Sequence, residues 1–123
     1  MKCIYAIPPN ESGVAQKLVG QYTDSLVRLS EDVIALGDYL RDFAETHSPA
    51  LLKVDNEDWE TVTEDLAHLG IYRLVGELFW SPDDALAVLG GLINRAECTP
   101  QSALAHWLGS QGQRHRSFLL LSS

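Results

Sequence analysis

This chain is short of cysteine, short of positive charge, and without a long apolar run. Cys3 and Cys98 are its only cysteines, and neither belongs to a CxxC or other metal-ligand spacing. Two reduced thiols are the simplest reading; a single Cys3–Cys98 disulfide is the alternative, because sequence does not give the distance between them. Lys and Arg number 9 against 17 Asp and Glu, a formal charge of −8. That sign argues against a surface that neutralises nucleic-acid phosphates or docks on anionic lipid. No stretch approaches the roughly 18 apolar residues of a membrane span. The opening apolar run, Cys3 to Ile7, is stopped by Pro8-Pro9. It is too short for the apolar core of a signal peptide. The cytoplasm is the expected location.

The signatures of chemistry are missing too. There is no HExxH, no GxxxxGK[ST], no GxGxxG and no GxSxG. Glu64 and His68 stand four residues apart, but a metal helix would need a second histidine. His47 suits a helix C-terminus, and His106 has no companion ligand in sequence. The acidic pairs Glu31-Asp32 and Asp83-Asp84 sit where helix starts favour negative charge. No catalytic residue, metal or cofactor is expected.

What is present is a seam. Val19, Tyr22, Leu26, Leu29, Val33, Leu36, Leu40 and Phe43 follow one another at alternating steps of three and four. This heptad spacing lines one face of a helix, which needs a covering partner. The pattern predicts one long helix from about Ser12 to His47, stopped by Ser48-Pro49. At 1.5 Å per residue it would be about 50 Å long. A break at Ser30-Glu31-Asp32 is the alternative, since Ser followed by acids reads as an N-cap. The seam stays in phase there, which favours continuity.

Residues 48–54 read as a connection. Asp55 caps a second helix, expected to run to Trp80. Ser81-Pro82-Asp83-Asp84 starts a third, to about Ala96, and Thr99-Pro100 starts a fourth that Gly109 ends. Gly90-Gly91 in the third suggests a close helix crossing or a kink. Residues 1–11 form an arm and 110–123 a tail. KCIYAI near the start is rich in β formers, and Phe118 to Leu121 near the end is either a strand that pairs with it or an apolar plug. The predicted fold is therefore mainly α: a single domain, 1–123, with a bundle of about four helices, one of them long, and with short terminal β pairing as the option in which the tail is a strand.

The functional reading rests on charge. Asp55, Glu57, Asp58, Glu60, Glu64 and Asp65 give six negative charges with no Lys or Arg between Lys53 and Arg73. Trp59 lies among them. Such a face suits a partner with a basic surface. The leading expectation is a small protein-binding protein that inhibits or neutralises a protein partner, in the manner of an immunity protein, antitoxin, anti-activator or phage-type inhibitor. Its partner-binding residues would be those six acids and Trp59. A homodimeric scaffold joined through the heptad seam is the alternative. A small-ligand binder or enzyme using Glu64 and His68 is a further one.

Overall fold

A computed structural model describes residues 1–92, 99–112 and 116–122. The termini do pair, but as the centre of a sheet rather than as an appendage. Strand β1 (Lys2–Ile7) runs antiparallel to β4 (Ser117–Ser122), with Ile4 opposite Leu120 and Tyr5 opposite Leu119. On its other side β1 takes β2 (Ala50–Val54), also antiparallel. The two-residue β3 (Phe79–Trp80) completes the order β2-β1-β4-β3. Residues 3–7 and 117–121 are buried. Helices cover both faces of the sheet, which is why these segments read as continuous apolar runs rather than as alternation.

Strand alternation divides the core in two. Cys3, Tyr5, Ile7, Leu119 and Leu121 face one helical layer. It consists of α1 (Ser12–Val27) and α2 (Val33–His47), which contribute Ala15, Leu40, Phe43 and Ala44. Ile4, Ala6, Phe118, Leu120 and Trp80 face the other. That layer consists of α3 (Asn56–His68), α4 (Pro82–Leu92) and α5 (Pro100–Gly112). The architecture is a mixed α+β sandwich of helix, antiparallel sheet and helix. The expected mainly-α bundle is overturned by this sheet.

The long heptad helix is two helices folded into a hairpin. Leu29 takes a left-handed φ of 54°. The Ser30 N–H donates to the Ser25 carbonyl at 3.0 Å, and the Leu29 N–H to the Leu26 carbonyl at 3.2 Å. This is the Schellman ending of a helix. The Ser30 hydroxyl then accepts the Asp32 N–H at 3.2 Å, opening the next helix. The seam kept its phase because both helices turn inner faces toward each other: a Cβ on Gly37 would lie 3.2 Å from the Tyr22 ring. The second expected helix also stops early. Gly70, at φ 77°, ends α3 by the same motif, and a 3₁₀ turn over Tyr72–Gly76 leads into β3. Trp80, expected as the last residue of that helix, is a sheet residue whose indole N–H donates to the Leu74 carbonyl at 2.9 Å. Residues 50–54, expected as a connection, are β2, and the expected arm and tail supply the two central strands.

Two helix starts form as the sequence predicts. The Asp55 carboxylate accepts the Asp58 N–H at 2.9 Å. Ser81 and Asp84 satisfy each other's backbone N–H groups at 3.1 and 3.2 Å, a capping box. Gly91 permits a close approach, since a Cβ there would lie 2.5 Å from the end of Leu69. The expected end of that third helix near Ala96, and Cys98 with its disulfide alternative, fall outside the described residues.

Candidate functional site

Three surfaces could carry function. The first is the acidic face of α3. Its members differ in their local roles. Asp55 is committed to capping, and Glu57 and Asp58 occupy the first turn, where the helix dipole favours them. Trp59 is half-buried against the core. Its ring lies 6.4 Å from that of Trp80, and the Lys2 ammonium stands 5.3 Å above it. Glu60 and Glu64 are exposed, and Asp65 is half-buried. Among the described residues no Lys or Arg forms an ion pair with Glu57, Glu60 or Glu64. His68 is exposed in the last turn of α3, so Glu64 and His68 lie on open surface rather than in a cavity.

The second surface is the tip of the α1–α2 hairpin. Leu29 is 90% exposed, Val27 78%, Ile34 74% and Leu26 45%. Leu26 and Ile34 also line a groove of about 510 Å³ with Tyr22, Val33, Leu40 and Leu121. Of the eight seam residues, only Leu40 and Phe43 are buried. Val19, Tyr22, Val33 and Leu36 are half-buried within the hairpin, and Leu26 and Leu29 face solvent at its tip. Asp24, Glu31, Asp32 and Asp38 are exposed around this region. Among the described residues Arg28 pairs with Asp24 alone, at 3.4 Å. The tip is thus apolar at its centre and acidic at its rim. The heptad spacing by itself assigns Leu26 and Leu29 to a covered seam, because no glycine announces the turn.

The third is a cup of about 450 Å³ between α2 and the β1–β2 pair. Cys3, Tyr5, Leu51 and Lys53 line it from the sheet, and Arg41 and Glu45 from the helix. The Arg41 guanidinium donates to the Ser122 carbonyl at 2.7 Å, which fixes it on the wall between cup and groove. Burial raises the pKa of the Tyr5 phenol; Cys3 and Glu45 raise it further, and Arg41 opposes them. The phenol therefore stays protonated, a hydrogen-bond donor. The Lys2 ammonium, on the opposite face, has its pKa lowered by burial, with Cys3 opposing.

His47 lies 3.8 Å from the Glu11 carboxylate and packs on Phe43 with ring centroids 4.6 Å apart. Among the described residues no group of three His, Cys, Asp or Glu side chains could hold a metal ion. Among them, too, no helix is long and apolar enough to cross a membrane. No protein family, curated protein or solved structure matches the chain.

Proposed function

We propose that this is a protein-binding protein that docks a partner on the tip of its α1–α2 hairpin and so inhibits or neutralises it. The observation that carries the reading is Leu29. A bulky side chain in the left-handed region costs about 1 kcal/mol or more. Here that side chain also stands almost wholly in water. It makes neither the fold nor the solubility better. Local rules broken in this way are characteristic of functional positions. Val27 and Ile34 extend the same exposed apolar surface, and such surfaces mark interaction sites.

The chemistry of the partner follows from the rim. An apolar centre bordered by Glu31, Asp32 and Asp38 fits an apolar surface bordered by Lys and Arg. The apolar contacts supply affinity, and the charges steer approach and reject acidic surfaces. The acidic face of α3 offers charge around a smaller apolar centre, because its tryptophan is half-buried against the core. It is the weaker of the two candidate interfaces.

A photo-crosslinking residue introduced in turn at Val27, Ile34, Glu60 and Glu64 tests the assignment in the cells that make the protein. A single heterologous protein joined at 27 and 34 supports it. Adducts confined to 60 and 64 would move the interface to α3. Adducts with a second copy of the chain would replace the inhibitor by the homodimer.

A further inference from the structure

We infer a second interaction surface, independent of the hairpin tip: the outer edge of β2, with the cationic cup beside it, accepts an extended acidic segment of a protein partner as an added strand. The two edges of the sheet are unlike. At one end β3 is only two residues long, a length that offers little backbone for pairing. At the other, β2 offers five residues and, among the described residues, pairs on one side only, with β1. An edge of that length presents a row of backbone donors and acceptors ready for another strand.

Edges that must stay unpaired are commonly guarded by Lys and Pro, and Pro49 and Lys53 sit here. Lys53, however, does more than repel. It lies opposite Cys3 in the register, on the side of the sheet that the cup occupies, and Leu51 lies opposite Tyr5 on that same side. Arg41 comes into the cup from α2, against a single carboxylate, Glu45. In a chain of charge −8 this is a cavity in which cations outnumber acids. The Tyr5 phenol adds a donor in its protonated form.

Side chains of an added strand alternate between the two faces of the sheet. Those on the hairpin side would stand next to Leu51 and Lys53, at the mouth of the cup. Aspartate or glutamate there meets Lys53, with the charge of Arg41 deeper in the cup adding to the field; lysine or arginine is repelled. A second copy of this chain is a poorer occupant. Antiparallel pairing centred on Leu52 would make the two Lys53 side chains diagonal neighbours on one face, within reach of each other's charge, and would bring no acid to either cup. The occupant is therefore an extended acidic segment of another protein: the backbone supplies binding, and the cup supplies selection.

Nitrogen-15 NMR titration of the whole chain tests this with a blocked pentapeptide, Val-Thr-Glu-Val-Thr. Its lysine counterpart, its alternately N-methylated form and free glutamate are the comparisons. The expected result is a shift of the amide signals of residues 50–54, with slowed hydrogen exchange there. Binding should be at least tenfold weaker for the lysine and N-methylated peptides, and Lys53→Glu should reverse the charge preference. Lys53 is exposed, so this variant should keep the wild-type circular dichroism. Three results would overturn the inference: no shift at millimolar peptide, equal binding of the N-methylated form, or the same shifts with free glutamate alone.

Discussion

Leu29 and Gly70 hold the same backbone position. Each is the left-handed residue that ends a helix, at φ 54° and 77°, and each is followed by an N–H that reaches back five residues, to Ser25 and to Leu66, at 3.0 Å. Glycine takes this conformation at little steric cost, while leucine crowds its Cβ against the following carbonyl. Leu29→Gly should therefore stabilise the protein, by about 0.5–1 kcal/mol after the added freedom of the unfolded chain is subtracted. Gly70→Ala should destabilise it by about 1 kcal/mol. Urea denaturation of the two variants beside the wild type checks both signs. A loss of stability in Leu29→Gly would show that the leucine serves the fold.

Trp80 anchors the layer formed by α3, α4 and α5. It is fully buried, stacks near Trp59, and donates to the Leu74 carbonyl in the 3₁₀ turn. Trp80→Phe keeps most of the apolar volume but leaves that carbonyl without its donor. A cost of about 2–3 kcal/mol is expected in urea midpoint and slope. A change below about 0.5 kcal/mol would mean that water or a backbone shift replaces the bond.

The Tyr5 phenol gives the fold an alkaline limit. Its folded pKa lies above the ordinary value of 10.0. Below about pH 10 both states are protonated and the contribution is complete. Above it the unfolded state loses its proton first, so stability falls as pH rises from 10 toward the folded pKa. Lys2, with a folded pKa below 10.5, acts in the opposite sense: its contribution grows as pH rises toward 10.5. Tyr5→Phe should remove the Tyr5 part alone. Denaturation between pH 9 and 12 should show a shallower decline in the variant than in the wild type. Parallel curves would exclude Tyr5 as the cause.

Local chemistry was legible where one residue does one job. Asp55 and Ser81 cap the helices that their neighbours announce, and Thr99-Pro100 opens α5. Composition marked the terminal segments as candidate strands but did not decide between pairing and an apolar plug. The sheet they build was not legible, because a strand covered on both faces has no alternation to distinguish it from a loop or a buried plug. β2 was hidden for a related reason: Ala50-Leu51-Leu52 carries few β-branched residues, and its partner lies nearly fifty positions away. The hairpin was hidden by Leu29 itself. A glycine there would have announced the end of α1, and the unbroken heptad phase argued the other way. The unusual residue that misled the secondary-structure reading is also the residue on which the functional reading rests.

The most direct test of that reading uses Leu29→Gly again, now as a ligand for the natural partner. Wild type and variant are immobilised at equal density, and the retained partner is quantified from lysate of the cells that make the protein. A folded variant, more stable than wild type, that retains the partner at least about tenfold less is the predicted result, in line with the loss of an interface anchor. Equal retention by the two proteins, or retention of no other protein by either, would contradict it.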